Sequence, residues 1–184
     1  KGWSVPDLKP VVAPSSTVYN LASGSTSERA LELEGVWPYW LPRQLATRND
    51  VNWDGLWLLT APNMAGKSSL MRSMLTSALL ANSGLLAPVS SANVPRYDAY
   101  FLRTASFDAP AEGKSAFAQE MDDLHVMAAE CTPNSLVMLD EIGRGTSTHE
   151  GSALCAAILE WLDERRIGAI FATHLHEIDG RLIQ

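Results

Sequence analysis

The clearest pattern along the chain is a series of short apolar runs, each closed by a turn and followed by a stretch of helical period. "LWLLT" (Leu56–Thr60) is apolar at successive positions and stops at a loop containing Pro, Asn and Gly. That is the signature of a strand buried on both faces of a parallel sheet. Beyond the loop, Met71, Met74, Leu75, Ala78 and Leu79 recur with helical period and predict a helix over 68–81. "DAYFLRT" (98–104) reads as a strand, and 115–130 as a helix with Phe117, Met121, Leu124 and Ala128 on one face. "SLVML" (135–139) is a second buried strand running into Asp140 and Glu141. A helix over 149–164 follows, with Leu154, Ala157, Ile158, Trp161 and Leu162 inward, and Ser147 and Glu150 form the S-x-x-E of a capping box at its start. "GAIFAT" (168–173) is a third buried strand, ending at His174. Strands alternating with helices predict an α/β fold: a largely parallel sheet flanked by helices, with ligands at the carboxyl ends of the strands.

Residues 1–30 break this pattern. They are rich in Pro, Ser and Thr with little periodicity, and read as a linker or loosely draped arm ahead of one domain over 31–184. The chain starts at Lys1 and stops just after an apolar run, so the expectation is a piece of a longer protein. No run of about 18 apolar residues is present, which predicts no membrane span. Cys131 and Cys155 lack metal-ligand spacing and sit in or beside apolar segments, as two buried free thiols of a reducing compartment would. A net charge of −7 argues against this segment clamping nucleic acid by itself, because neutralising phosphates needs a basic face.

The candidate chemistry begins in the loop after the first buried strand. "APNMAGKSS" ends as a phosphate-binding loop does, in Gly66-Lys67-Ser68, but Ala61 stands where the G-x-x-x-x-G-K-[ST] pattern has its first glycine. Alanine can hold that place if its φ stays negative. In a working site, Pro62, Asn63, Met64, Ala65, Gly66 and Ser69 would line the phosphates with backbone groups and the helix start. Lys67 would reach the outer phosphates and Ser68 would bind Mg²⁺. Taken alone, the stretch also suits a small-residue turn with an exposed lysine.

"SLVMLDEIGRGTST" narrows the choice. A buried strand delivering two adjacent carboxylates at its carboxyl end sets Asp140 beside the metal and leaves Glu141 to polarise an attacking water. An isolated Asp-Glu pair is usually a solvated turn, but not one that follows a buried strand downstream of a phosphate loop. His174, just past the third strand, could contact the γ-phosphate and the water from the far side. It makes an H-x-H pair with His176 that lacks a third zinc ligand nearby, while His125 and His149 read as surface residues and Asp108 and Glu112 carry no clear role.

In order and spacing, "APNMAGKSS", "GKSAFAQEM", "LDEIGRGTST" and "FATHLHEI" resemble the ATPase domain of the MutS family of DNA mismatch-repair proteins, over about 36–178. "GVWPYWLP" and "FDAPAEGKSAF" look closer to the plant organellar branch than to bacterial or nuclear ones. The resemblance implies a P-loop NTPase of ABC type that binds ATP and Mg²⁺ and pairs with a second MutS-type subunit, identical or not, with nucleotide sandwiched between them. It implies phosphate and Mg²⁺ contacts at Asn63, Gly66, Lys67 and Ser68, a metal-side carboxylate at Asp140, a general base at Glu141 and a switch histidine at His174. Ser115 matches the signature serine that reaches the partner's nucleotide, and 143–148 the loop that communicates across the dimer. Mismatched double-stranded DNA would be bound by domains outside this chain. An intracellular location follows, in plastid or mitochondrion if the organellar likeness holds, otherwise nucleus or cytoplasm.

The chain departs from the family pattern in several places. Ala116 replaces the usual threonine after the signature serine, and Ala46 in "LATRND" stands where an aromatic residue would stack on adenine. The family's helical dimerisation segment would follow the histidine strand, so the chain alone is expected to dimerise poorly and hydrolyse ATP slowly. An ABC-type ATPase of another DNA-maintenance system would carry L-S-G-G-Q where this chain has "GKSAFAQEM", and a nucleotide-dependent interaction module without hydrolysis would lack Glu141 or Lys67. The reading favoured is a Mg²⁺-dependent ATPase coupled to mismatch repair.

Overall fold

The computed structural model describes residues 17–20, 30–62, 64–104 and 116–173. Its main sheet contains β1 (Thr17–Asn20), β4 (Leu56–Thr60), β6 (Tyr100–Arg103), β7 (Leu136–Asp140) and β8 (Ala169–Thr173) in the order β1-β4-β8-β7-β6. The last four of that order are mutually parallel, and β1 adds antiparallel to the edge of β4. Three helices accompany them: α1 (Lys67–Asn82), α2 (Ala116–Glu130) and α3 (Thr148–Glu164). The protein is a mixed α/β fold with a parallel core, as the alternation of elements predicts.

Why the strands are unbroken apolar runs is visible in the packing. Successive residues of each central strand go to opposite faces, and both faces are covered. Leu59, Leu136, Met138, Ile170 and Ala172 pack on one side with Met71, Met74 and Ala78 of α1. Leu56, Leu58, Val137, Leu139, Ala169 and Phe171 pack on the other with Leu124 and Met127 of α2 and Cys155, Leu159 and Leu162 of α3. Burying each such side chain contributes roughly 1.5–3 kcal/mol, so the two layers fix the strand order firmly.

A second, three-stranded antiparallel sheet covers α1 from outside. It consists of β2 (Leu31–Val36) flanked by β3 (Asn49–Trp53) and β5 (Ser91–Asn93). Leu31, Leu33, Val51 and Trp53 turn inward onto the α1 layer, while Glu32 and Glu34 lie between them on the outer face. This sheet has no counterpart in the sequence reading, which marks only a change of character at Leu31. The L-E-L-E alternation of β2 is nonetheless a strand of period two with one wet face. β1 likewise falls inside the stretch read as a linker.

The helices start and stop close to expectation, but their inward faces are rotated. In α2 it is Met127 that is buried, and Ala128 is exposed. In α3 the buried line is Cys155, Leu159 and Leu162, with Leu154, Ile158 and Trp161 at its margins and Ala157 exposed. On α1, Leu79 points outward. A small alanine carries little burial energy, so a larger neighbour one position away sets which face turns in. Cys155 is buried, but Cys131 is only half-buried, and both are free thiols. α1 ends in a Schellman turn: Leu85 N–H reaches Leu80 C=O and Gly84 N–H reaches Ala81 C=O, with Gly84 left-handed at φ 72°.

Candidate functional site

Two of the parallel strands, β4 and β7, flank β8 and end level with it: Thr60 pairs with Thr173 and Asp140 with Ala172. From the end of β4 the chain turns into α1 through residues 61–66, and from the end of β7 it enters 141–147 before α3. The carboxyl edge of the sheet therefore gathers the two loops that the sequence singles out.

The first loop turns sharply without using Ala61. Its left-handed residues are Met64 (φ 64°) and Gly66 (φ 94°), and Gly66 is the N-cap of α1. The loop is further held by Ala65 N–H to Pro62 C=O at 3.2 Å. An alanine at position 61 thus costs nothing in backbone strain, since only positive φ penalises a Cβ there. Among the described residues no side chain caps α1. The positive end of the helix dipole lies at this loop, which favours an anion there. Pro62, Met64, Ala65 and Ser69 lie exposed around this turn.

Lys67 is only 8% exposed, and its ammonium donates to Ala61 C=O at 2.6 Å and Pro62 C=O at 3.5 Å. Burial pulls its pKa below the usual lysine value, while the negative charges of Glu141 and Asp140 push it back up and Arg144 adds to the lowering. Lys67, Asp140 and Glu141 therefore share one electrostatic environment. One residue on, the Ser68 hydroxyl donates to Asp140 Oδ2, joining the start of α1 to the end of β7.

Asp140 is 3% exposed, and its other oxygen, Oδ1, is buried without a hydrogen-bond partner among the described residues. A buried carboxylate oxygen left in this condition is costly unless a cation or donor meets it. Glu141 follows with φ 57°, a left-handed conformation for a residue with a Cβ. Its N–H donates to Ala172 C=O at 2.9 Å, and its carboxylate pairs with Arg144 at 2.9 Å. Strain of this kind persists where surrounding contacts over-determine it. At the far end of the loop, Ser147 and Glu150 make the expected capping box on α3.

Asn63, Ser115 and His174 lie outside the described residues, as do Asp108, Glu112 and His176. His125 and His149 are exposed, as expected. The structure adds one residue that periodicity could not mark. Glu120 of α2 is 6% exposed, and its carboxylate accepts the Gly143 N–H at 2.6 Å. A glutamate in an amphipathic helix reads as outward-facing, and its partner lies in a loop 23 positions further on. Among the described residues no group of three or more His, Cys, Asp or Glu could hold a metal, and no helix is long and apolar enough to cross a membrane.

The family described as MutS domain V matches residues 57–182. Over 150 residues, 80% of its length, the chain is 42% identical to the mitochondrial DNA mismatch repair protein MSH1 of Arabidopsis thaliana, of which it covers 13%. It is 46% identical over 121 residues to the DNA mismatch repair protein MutS of Thermus aquaticus, covering 66% of this chain and 15% of that protein. To the MutS of Halalkalibacterium halodurans it is 38% identical over 172 residues, 89% of this chain and 20% of that protein. The chain thus spans between 13% and 20% of the length of these relatives.

Proposed function

The chain belongs to the MutS family, and from that premise we propose that it is an ABC-type, P-loop ATPase domain whose nucleotide cycle serves DNA mismatch repair. The observation that carries this reading is the hydrogen bond from Ser68 to Asp140. It joins the hydroxyl at the start of α1 to the buried carboxylate at the end of β7, beside a buried lysine.

The donor set fits Mg²⁺. A serine hydroxyl and a carboxylate with a buried, unpartnered oxygen are hard oxygen ligands, which suit a small divalent cation that keeps several waters and takes the rest of its shell from phosphates. Ser68 and Asp140 would hold the metal, and bound there it neutralises charge on the phosphate oxygens. The remaining work falls to the chain's own groups. The backbone of 62–66 and the uncapped start of α1 cradle the phosphates, with Asn63 contributing its side chain. Lys67 exchanges its contacts with the Ala61 and Pro62 carbonyls for the outer phosphates, which also relieves the cost of burying its charge. Glu141 accepts the proton of the attacking water, and Arg144 holds its carboxylate in place beforehand. His174 acts on the γ-phosphate side, and Ser115 on the nucleotide of a second MutS-type subunit.

The net charge of −7 leaves DNA contact to other domains of the parent protein. The 42% identity to a mitochondrial relative supports an organellar location, mitochondrion or plastid. The test is Mg²⁺-dependent ATP hydrolysis by the purified chain compared with Lys67→Ala. Phosphate release that is dependent on Lys67 supports the proposal; equal rates for the two proteins, with equal nucleotide binding, would sink it.

A further inference from the structure

The peptide group between Ile142 and Gly143 is gripped at both ends by two different helices. Its N–H donates to the Glu120 carboxylate of α2 at 2.6 Å, and its C=O accepts from the Cys155 thiol of α3 at 3.5 Å. Both side chains are buried, at 6% and 0% exposure. A third constraint is steric. A Cβ on Gly143 (φ 83°) would lie 2.7 Å from Gly151 Cα, so the loop rides directly on the α3 backbone.

This clamped peptide lies one residue beyond Glu141. On its other side Glu141 is anchored through its N–H to Ala172 C=O of β8. A left-handed residue with a Cβ would relax toward negative φ if either flank were released. Its own carboxylate is tied to the exposed Arg144, so these flanks are what the buried framework supplies to its backbone. A buried carboxylate whose hydrogen bond among the described residues goes to one backbone N–H is an expensive way to fix a loop, which argues that the loop's geometry matters.

We infer that Glu120, assisted by Cys155, is a positioning residue that holds the Ile142–Gly143 peptide and thereby fixes the strained Glu141 backbone in its working direction. The inference rests on the reading of Glu141 as the general base. α2 begins immediately after Ser115, so the grip also ties Glu141 to the helix that starts there. Misplacing a base by about 1 Å costs on the order of a hundredfold in rate while leaving substrate binding intact.

The experiment compares Glu120→Leu, which removes the acceptor, with Glu120→Gln, which keeps an acceptor oxygen of similar reach. Cys155→Ala and Cys155→Ser form the second pair, the serine keeping a donor. Steady-state hydrolysis and binding of a fluorescent ATP analogue are measured on the full 184-residue chain. Glu120→Leu is expected to lower kcat about tenfold or more with KM and analogue affinity within about twofold, and Glu120→Gln to recover most of it. Cys155→Ala should give a smaller fall that Cys155→Ser restores. Full kcat in a folded Glu120→Leu chain overturns the inference, and so does a loss shared equally by kcat and affinity. Should Glu120→Leu not fold, the cysteine pair decides in the same way. Failure of the underlying reading shows differently: the unaltered chain would then hydrolyse ATP no faster than Lys67→Ala. Amide hydrogen exchange at Gly143 and Glu141 still judges the grip in that case. Protection lost in Glu120→Leu and kept in Glu120→Gln upholds it, and protection indifferent to both overturns it.

Discussion

The hydroxyl of Ser68 and the carboxylate of Asp140, 72 positions apart in the chain, are hydrogen-bonded across the carboxyl edge of the sheet. That pairing leaves Asp140 Oδ1 buried and unpartnered among the described residues. If the two oxygens are the protein's share of a Mg²⁺ site, Ser68→Ala removes one ligand and the group that orients the other. The Mg²⁺ concentration for half-maximal hydrolysis should rise about tenfold or more, with excess chelator abolishing turnover in the unaltered chain. A magnesium titration of both proteins checks this. Identical curves would remove Ser68 from the metal.

Glu141 carries a separable expectation, because binding needs charge compensation and hydrolysis needs a base. Glu141→Gln keeps the shape and the left-handed backbone but cannot take a proton. Turnover should fall by about 10²–10⁴ while affinity for a non-hydrolysable analogue stays within about threefold. Single-turnover hydrolysis alongside an analogue titration reads the two separately. Hydrolysis at the unaltered rate would place the base elsewhere.

Much of this arrangement is legible in the sequence, for a physical reason. Strands buried on both faces must be apolar at successive positions, so Leu56–Thr60, Leu136–Asp140 and Ala169–Thr173 stand out without ambiguity. The candidate residues follow from being at their carboxyl ends. The outer sheet escapes notice because its strands are short and half-wet: Ser91–Asn93 has three residues, and Asn49–Trp53 carries a single aliphatic position. Thr17–Asn20 is hidden because it is four residues long among Ser, Thr and Pro, and only its antiparallel pairing with β4 marks it as a strand. Glu120 is invisible for the opposite reason. Periodicity assigns a carboxylate to water, and only the position of Gly143 in space explains why this one is inside.

Gly143 and Gly84 are both left-handed, at φ 83° and 72°, yet they differ in what a side chain would meet. Around Gly84 there is nothing within 4 Å, whereas at Gly143 a Cβ would press on the Gly151 backbone at 2.7 Å. Gly84→Ala should therefore cost only the conformational penalty, about 1 kcal/mol. Gly143→Ala should cost clearly more, about 2–4 kcal/mol, because backbone cannot swing aside as a side chain can. Urea denaturation midpoints of the two variants test the contrast. Equal losses would mean that the loop does not ride on α3 as described.

The two cysteines should behave differently, and their difference carries a pH dependence. Cys131 is half-buried, while Cys155 is fully buried under the loop with its thiol donating to Ile142 C=O. Burial, reinforced by the nearby charge of Glu120, pushes the Cys155 thiol up from its ordinary 9.0 to about 12. The folded chain therefore keeps this proton where the unfolded chain releases it. Between those values the unfolded state binds fewer protons, so stability is fully present below about pH 9 and is lost as pH rises toward 12. A thiol reagent at pH 8 should label Cys131 first and reach Cys155 only on the timescale of opening, with both labelled at once in denaturant. Denaturation midpoints at pH 8 and pH 10 should differ more in the unaltered chain than in Cys155→Ala, which lacks the titrating group. Rapid labelling of both thiols in the native chain would place Cys155 outside the core and remove its contact with the loop.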